Sequence, residues 1–326
     1  MSSDAAVPSD AGVGAIPPVI LGTMTFADTV DEGDADAILG AALDAGVTWI
    51  DTANVYAGGK TEEMLARLLP RDGIVLATKV GMDTPELEGR SPLSGDGIEV
   101  ALTASLRRLR RDSVDLLYLH KPDYDTDIRE TLTTIAALID RGLISAYGVS
   151  NYAAWQIAVI MAEADKAGMP RPVIAQQLYN PIARALESEY TSFAQWASLP
   201  TAVYNPLAGG LLARRHARGS AEETGRFGRA RIASVYRERY WNDKLLDASD
   251  SFADLADRAG IAPAEAALRW VAARPTTDSV VVGASSSAQL GANLRALAAG
   301  PLDPSVIAKI DAVGDALHGP VPPYNR

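Results

Sequence analysis

Short apolar stretches alternate with amphipathic stretches along most of this chain, and no other feature of the sequence constrains the fold as strongly. The apolar stretches are rich in β-branched residues, and each is followed by a segment whose apolar residues recur at helical spacing. Eight such pairs can be counted. Repeated pairs of this kind build a parallel sheet, so we predict an α/β fold, a (β/α)8 TIM barrel. The length of 326 residues also fits two ordinary domains.

The pattern changes near both ends and once in the second half, and these changes set the predicted boundaries. Residues 1–17 are rich in Ser, Ala, Gly and Asp and are predicted to form a flexible arm ahead of a barrel domain at 18–326. After the seventh strand, residues 205–246 show no clean period and are predicted to be a long rim loop with short helices. Helical spacing resumes at Phe252, and residues 304–317 are predicted to form an extra C-terminal helix.

Four polar residues lie at or just beyond the ends of predicted strands. Asp51, Lys79 and His120 each follow an apolar, β-branched run, and Tyr56 lies in the turn five residues after Asp51. Thr61 is predicted to cap the helix that follows this turn. Because the carboxyl ends of barrel strands meet at one rim, where such folds carry their active sites, the four side chains are predicted to converge on one pocket.

The four residue types together suit the reduction of a carbonyl group. Tyr56 can donate the proton, and an adjacent Lys79 ammonium is expected to lower the pKa of the phenol. Asp51 can hold Lys79 charged, and His120 can donate a hydrogen bond to the carbonyl oxygen. No side chain supplies a hydride, so a nicotinamide cofactor is required. Each residue also has a purely structural interpretation, such as a buried ion pair, a packed tyrosine or a hydrogen-bonded core histidine.

Composition excludes several other classes of function. With 41 acidic and 30 basic residues, the formal charge of −11 opposes broad contact with nucleic acid or an anionic membrane. The chain has no cysteine, and its three histidines show no ligand spacing, so no metal site is predicted. No apolar stretch has the length of a membrane span, and the amino terminus has no basic start followed by an apolar core. We therefore expect a cytoplasmic protein.

Several motifs resemble those of the aldo-keto reductase superfamily. The first set includes Asp51, Tyr56, Lys79 and His120 with their neighbours. Further segments resemble the aflatoxin aldehyde reductase branch, and the likeness runs from about Pro18 to the carboxyl terminus. The segments that carry the resemblance are Gly22-Thr23-Met24, Asp51-Thr52-Ala53, Tyr118-Leu119-His120, Gly148-Val149-Ser150-Asn151-Tyr152, Tyr204-Asn205-Pro206-Leu207-Ala208-Gly209-Gly210, Gly225-Arg226-Phe227 and Tyr236-Arg237-Glu238-Arg239-Tyr240-Trp241.

This resemblance implies a TIM barrel that binds NADPH, with Asp51, Tyr56, Lys79 and His120 as the catalytic residues and Tyr56 as general acid. Tyr204 would stack on the nicotinamide ring, and side chains of the fifth and sixth strands would hold the carboxamide of the nicotinamide. Arg215 could meet the 2′-phosphate, in place of the cation that many members carry near the last strand. The remaining cofactor-binding residues implied by position are Gly22, Thr23, Met24, Ser150, Asn151, Gln176, Asn205, Leu207, Gly209, Gly283, Ser285, Ser286, Gln289 and Asn293.

Two arginines suggest the class of substrate. Arg226 and the terminal Arg326 match positions that lie near the substrate in this branch, and a guanidinium can bind a carboxylate through two parallel hydrogen bonds. Small aldehydes that bear an acid group, or dicarbonyl compounds, are therefore expected. The alternative for Arg226 is a structural ion pair in a loop rich in Arg and Glu, and Arg237 and Arg239 are assigned to that structural class.

Three functions remain open on the sequence alone. The first is a broad NADPH-dependent reductase that converts aldehydes or ketones to alcohols. The second is a dedicated biosynthetic reductase for one carbonyl or imine, with the same chemistry. The third is a non-catalytic NADPH-binding regulatory subunit, like the channel-associated members of the superfamily. The resemblance also suggests a homodimer.

Overall fold

Eight short parallel strands close into a barrel in chain order, as the alternating pattern predicts. The structure is a computed structural model that describes residues 12–213, 225–228 and 233–319. Each strand pairs with the next along the chain, and β8 closes the ring against β1. The strands are β1 Val19–Gly22, β2 Trp49–Asp51, β3 Val75–Val80, β4 Val114–Leu119, β5 Ile144–Ser150, β6 Ala175–Leu178, β7 Thr201–Tyr204 and β8 Ser279–Val282.

Helices surround the strands and connect the end of one to the start of the next. Most of the longer helices begin at an Asp, Ser or Asn whose side chain accepts a backbone N–H of the first turn, which satisfies a donor with no partner inside the helix. The helices are α1 Glu32–Asp44, α2 Lys60–Leu68, α3 Gly95–Leu109, α4 Ile128–Asp140, α5 Ala154–Ala167, α6 Tyr190–Ala197, α7 Gly225–Gly228, α8 Ala233–Tyr240, α9 Asp243–Arg258, α10 Pro263–Ala272, α11 Ser287–Ala298 and α12 Pro304–His318.

The strands bury side chains on both faces, which produces two apolar clusters. Residues of one face fill the barrel interior, and residues of the other face pack against the helices. Trp49 in β2 and Ala77 in β3 belong to the interior cluster, whereas Ile50 belongs to the outer one. Because side chains alternate along a strand, Asp51 and Lys79 share the inward direction of Trp49 and Ala77. Both polar residues therefore lie inside the barrel near its carboxyl-terminal rim.

Two local predictions are wrong. Thr61 does not cap α2, because the helix begins at Lys60 with Gly59 at the cap position, and the buried Thr61 hydroxyl donates to the Phe26 carbonyl instead, over 2.8 Å. The helix after the rim segment starts at Asp243 rather than at Phe252, since the Asn242 side chain accepts the Leu245 N–H at 3.0 Å and caps it there. The sequence signal for this cap lay within a stretch that lacks a clear apolar period.

The additions to the barrel otherwise follow the prediction. Short helices α7 and α8 lie in the segment after β7, and α12 is an extra helix that packs against α9. None of the helices in the described part of the chain combines the length and apolar character needed to cross a bilayer.

Two glycine substitutions test the packing of the barrel. A Cβ at Gly148 in β5 would lie 2.8 Å from the Ile174 carbonyl oxygen and 2.7 Å from the Tyr118 ring. We expect Gly148→Ala to lower the free energy of unfolding by about 1–3 kcal/mol through overpacking. Gly40→Ala is the matched control, because a Cβ at this helical position in α1 meets nothing within 4 Å. It should raise the free energy of unfolding by about 0.5–1 kcal/mol. Urea unfolding followed by circular dichroism measures both, and equal stability of the two variants would contradict the packing described.

Candidate active site

A buried ion pair lies at the centre of the four predicted residues. The Lys79 ammonium donates to Asp51 Oδ1 at 2.5 Å and to the Thr52 carbonyl at 2.8 Å, and the lysine side chain has no exposed surface. The same ammonium lies 3.3 Å from the Tyr56 hydroxyl. His120 is at the end of β4, and its ring meets the Tyr56 ring edge to face with centroids 6.1 Å apart. The structure thus brings all four side chains together.

Tyr56 is held in a tight turn of unusual backbone conformation. The turn Tyr56–Gly59 contains left-handed residues at Ala57, Gly58 and Gly59, with φ of 47°, 65° and 90°. Glycine adopts this conformation without steric cost, whereas Ala57 does not. The turn lies between β2 and α2. It places the Tyr56 phenol at the rim of the barrel, beside the ammonium of Lys79.

Desolvation raises the pKa of Tyr56 well above 10, and the negative charge of Asp51 raises it further. A Lys79 ammonium alone is expected to lower the phenol pKa, whereas the net shift in the structure is upward, with burial as its largest cause. Burial also lowers the pKa of Lys79, and the carboxylates of Asp51 and Glu62 oppose that shift. The phenol consequently keeps its proton at neutral pH, and the paired ammonium lies where it can stabilise a phenolate as one forms.

His120 is neutral over the whole physiological range. Burial, with the positive charges of Lys79 and Lys121, lowers its pKa to about 3. Its Nδ1 atom is buried and has no hydrogen-bond partner among the described residues. Because a buried N–H without an acceptor costs more than an unused lone pair, the proton belongs on Nε2. In this tautomer Nε2 is the hydrogen-bond donor of the His120 ring.

A cavity of about 570 Å³ opens above the four residues and extends along the rim to β8 and α11. Eleven of the residues assigned to cofactor or substrate line it: Gly22, Met24, Ser150, Asn151, Gln176, Tyr204, Asn205, Leu207, Arg226, Gly283 and Asn293. Asn293 is 4% exposed, and its Nδ2 donor has no partner among the residues that the structure describes. A buried donor of this kind at a cavity wall is a site for a polar group of a ligand.

Gln176 is engaged with the ion pair. Its Nε2 atom donates to Asp51 Oδ2 at 2.8 Å, and its side chain also hydrogen-bonds the buried Tyr118 phenol. Each Asp51 oxygen therefore has its own donor, one from Lys79 and one from Gln176. This arrangement holds the carboxylate in place. It also engages the side-chain amide of Gln176, which the resemblance assigns to binding of the nicotinamide.

Asn151 connects the ends of three strands. It has a left-handed backbone with φ of 64°, and its Nδ2 donates to the His120 carbonyl at 2.8 Å. Its Oδ1 accepts the Tyr204 hydroxyl at 2.6 Å, which fixes the direction of that phenol. Ser150 Oγ donates to the Gln176 carbonyl at 2.9 Å. The four residues predicted to hold or stack on a nicotinamide are thus joined to one another at the cavity wall.

Two predicted cofactor residues lie behind the cavity wall instead. Thr23 is fully buried, and its hydroxyl donates to the Asp51 carbonyl at 2.9 Å. Gly209 donates its N–H to Asn205 Oδ1 at 2.7 Å, and a Cβ there would lie 2.7 Å from the Tyr236 ring. Both residues support neighbours that line the cavity rather than lining it themselves.

The end of the cavity near α11 carries hydroxyl and amide groups instead of a cation. Ser286 caps α11 through the Gln289 N–H, and the Gln289 side-chain oxygen accepts both the N–H and the hydroxyl of Ser285 at 2.8 Å. None of these three residues lines the cavity as it stands. Arg215 and Arg326, the other two arginines assigned from the resemblance, lie outside the described residues.

Three cations line the cavity near Tyr56. Arg226, placed by α7, stacks over the Tyr236 ring at 5.6 Å, and neither it nor Arg239 pairs with a carboxylate in the described ranges. Burial raises the pKa of Tyr204, and the nearby Arg239 guanidinium opposes that shift. Lys121 completes the set. The assignment of Arg239 to a structural role missed this position, although its spacing of three residues from Tyr236 on α8 places both on one helix face.

Comparisons with known proteins agree with this geometry. The model of the aldo/keto reductase family matches residues 18–315. Aldo-keto reductase family 7 member A3 from Homo sapiens is 35% identical over 93% of this chain and 94% of its own length. Aflatoxin B1 aldehyde reductase member 2 from Homo sapiens is 34% identical over 92% of this chain and 86% of its own length. A probable voltage-gated potassium channel subunit beta from Oryza sativa subsp. japonica is 32% identical over 89% of this chain and 90% of its own length. The resemblance seen in the motifs is confirmed.

The buried His120 predicts a specific loss of stability in acid. Its pKa is about 3 in the folded protein against 6.5 without burial, so the unfolded chain takes up a proton first as pH falls. The contribution of neutral His120 to the free energy of unfolding is fully present above pH 6.5 and is lost progressively as pH falls towards 3. Between about pH 7.5 and about pH 5, the chain should lose about 2 kcal/mol more than His120→Gln, which cannot be protonated there. Urea unfolding at both pH values measures the difference, and equal losses would show that His120 is not desolvated.

Proposed function

The chain belongs to the aldo/keto reductase family, and we propose that it reduces aldehydes or ketones to alcohols with NADPH, using Tyr56 as general acid. Membership makes it an oxidoreductase that acts on carbonyl compounds. One observation carries the proposal: the Tyr56 hydroxyl lies 3.3 Å from the ammonium of the buried Lys79–Asp51 pair, at the rim of an open cavity. The family as a whole uses NAD(P)H, and the choice of NADPH is part of the proposal.

The cavity suits a dinucleotide in shape and in donors. It extends from Tyr56 and Asp51 to Gly283 and Asn293, and the Nδ2 donor of Asn293 is buried without a partner among the described residues. A Cβ at Gly283 would lie 3.1 Å from Arg226, so glycine keeps this part of the wall open. When bound with its nicotinamide near Tyr204, the cofactor supplies the hydride to the carbonyl carbon. Residues 22, 24, 150, 151, 205 and 207 would form the rest of its contact surface.

Tyr56 would donate its proton to the oxygen of the carbonyl as negative charge develops there. The phenol is fully protonated beforehand, because its pKa is well above 10. The phenolate left behind would be stabilised by the Lys79 ammonium, which cannot move away because Asp51 and the Thr52 carbonyl hold it. Fixed charge aimed at a developing anion in a desolvated site is a strong source of catalysis. Gln176 contributes by keeping Asp51 in place.

His120 would position the carbonyl oxygen. In its neutral Nε2–H form it would donate a hydrogen bond to that oxygen. Because its pKa is about 3, the ring carries no extra proton at neutral pH and does not compete with Tyr56 as an acid. The edge-to-face contact with the Tyr56 ring sets the two donors at an angle to each other. Two donors on one oxygen define the face of the carbonyl that is presented for reduction.

The three cations of the cavity wall would favour an anionic group on the substrate, although the carboxylates of Asp28 and Asp51 line the same cavity. Arg226, Arg239 and Lys121 all line it, and the two arginines have no carboxylate partner within the described ranges. Aldehydes bearing an acid group, or dicarbonyls, are therefore the proposed substrates, with Arg326 as a further candidate contact. The same cations also favour the phosphates of the cofactor, and Arg215 is the proposed contact for a 2′-phosphate, because Ser285 and Gln289 carry no charge.

A non-catalytic regulatory role is the second candidate, and the likeness to a potassium channel subunit beta favours it. The complete set of Asp51, Tyr56, Lys79 and His120 favours catalysis over this role. The two are separated by measuring turnover and binding together. Tight NADPH binding with no turnover across a broad panel of aldehydes, ketones and dicarbonyls would establish the second candidate.

Tyr56→Phe tests the general acid. We expect kcat to fall by about 10²–10⁴-fold, because the variant keeps the ring but has no proton to donate. The dissociation constant for NADPH, measured by quenching of protein fluorescence, should stay within about twofold, since the ring and the cavity are unchanged. NADPH absorbance followed with a panel of aldehydes gives kcat. Retention of most of the activity would exclude Tyr56 as the acid.

Arg226→Met tests the substrate class. The KM for a four-carbon aldehyde that carries a carboxylate should rise by about 10-fold or more, as expected when a charged hydrogen bond is lost. Butanal, which has the same chain length without the charge, should keep its KM within about twofold. An equal change for both aldehydes would show that Arg226 shapes the cavity without binding an acid group.

A further inference from the structure

A network of buried charges lies on the outer side of the barrel, behind the turn that carries Tyr56. Glu62 is fully buried, and its two oxygens accept from the Thr78 hydroxyl at 2.6 Å and from Arg108 Nε at 2.7 Å. The same guanidinium donates through Nη1 to Glu86 and through Nη2 to Ser105 at 3.2 Å. Arg108 is only 9% exposed, so this is a desolvated, hydrogen-bonded site rather than a surface ion pair.

The network joins the elements that position two of the four active-site residues. Glu62 lies in the first turn of α2, which begins directly after the Tyr56–Gly59 turn. Thr78 precedes Lys79 in β3 and points to the opposite face of the strand. Arg108 comes from α3, and Glu86 comes from the short helix that follows β3. The guanidinium therefore connects the start of α2 to the segment that follows β3, and Glu62 connects the start of α2 to β3 itself through Thr78.

Arg108 also contacts the turn itself. A Cβ at Gly59 would lie 2.8 Å from Arg108 Cδ and 3.0 Å from its Nε, so the arginine stem fills the space that this glycine leaves free. Gly59 has φ of 90°, and Ala57 is left-handed without being a glycine. Such a backbone persists only where the surroundings impose it. The Thr61 hydroxyl anchors the start of α2 to the Phe26 carbonyl, and Arg108 provides the anchor from α3.

We propose that Arg108 is a positioning residue for the reaction proposed above: its two-pronged contact with Glu62 and Glu86 fixes the Tyr56 turn against β3. This keeps the Tyr56 hydroxyl within reach of the Lys79 ammonium, at the observed 3.3 Å. The inference rests on the proposed function, because it concerns the efficiency of Tyr56 as an acid. A guanidinium suits the task because its planar fork can bind two carboxylates at fixed angles, which an ammonium cannot do.

Glu62 has a second effect on the same site. Burial lowers the pKa of Lys79, and the carboxylates of Asp51 and Glu62 oppose this. A buried carboxylate is tolerated when it has a paired, hydrogen-bonded cation, and Arg108 is that partner for Glu62 at 2.7 Å. The guanidinium that contacts the turn therefore also holds the carboxylate of Glu62 in place.

Arg108→Lys is the first test. The lysine keeps the positive charge beside Glu62 and loses the simultaneous contact with Glu86, so we expect kcat to fall by about 10–100-fold through displacement of the Tyr56 turn. The NADPH dissociation constant should stay within about twofold. Arg67→Lys is the matched control, because Arg67 makes a similar forked contact with Glu32 but is exposed. Its kcat should be unchanged.

Gly59→Ala is the second test and leaves every charge in place. The new methyl group displaces the Arg108 stem, so kcat should again fall by about 10-fold or more. Gly73→Ala is its control, since Gly73 has φ of 79° and open space around its Cβ position. The control should lose thermal stability through backbone strain and keep its kcat.

A readout independent of turnover separates this inference from the proposed function. Tyrosine labelled with ¹³C at Cζ reports the environment of each phenol, and Tyr56→Phe identifies the signal of Tyr56. Arg108→Lys and Gly59→Ala should both shift that signal, whereas Arg67→Lys and Gly73→Ala should not. If the wild-type chain reduces no carbonyl compound, the proposed function fails. The ¹³C signal of Tyr56 in the variants still shows whether Arg108 positions the turn. Lower melting temperatures with kcat and the Tyr56 signal unchanged would overturn the inference.

Discussion

The buried Lys79–Asp51 ion pair is the constraint on which the active site depends. Two opposite charges inside a barrel are tolerated only when they are paired and their remaining hydrogen-bonding capacity is used. Lys79 meets this condition with Asp51, the Thr52 carbonyl and Tyr56, and Asp51 meets it with Lys79 and Gln176. Removing Asp51 or Lys79 would leave the other charge buried without its counter-ion, so the pair fixes the geometry around Tyr56 within narrow limits.

Burial, together with the charges of this pair, sets the protonation states of the neighbouring Tyr56 and His120. The desolvation that strengthens the ion pair raises the pKa of Tyr56 and lowers that of His120, so both reach neutral pH as uncharged donors. The ammonium therefore acts on the phenolate that forms during reaction rather than on the resting phenol. Outside the barrel, Glu62 and Arg108 form a second buried ion pair, which lies behind the turn of Tyr56.

Much of the architecture could be predicted because it follows local rules. Eight apolar runs with helical segments between them specify a parallel barrel, and polar residues at the ends of those runs are bound to meet at one rim. Prediction failed where a local signal competed with tertiary contacts. Thr61 has the side chain of a helix cap, yet burial beside the Phe26 carbonyl gives its hydroxyl a different partner. Arg239 lies on a short helix in a segment without an apolar period, so its direction could not be inferred.

The amino-acid sequence by itself determined the order of strands and helices, the family, and the convergence of Asp51, Tyr56, Lys79 and His120. These follow from periodicity and from motifs, which are properties of short stretches of chain. Only the tertiary structure decided the sign of the Tyr56 pKa shift, the engagement of Gln176 with Asp51, and the contact of Arg108 with the turn at Gly59. Desolvation and hydrogen bonding depend on which distant residues exclude water from a group, and residues far apart in the chain come together only when the barrel closes.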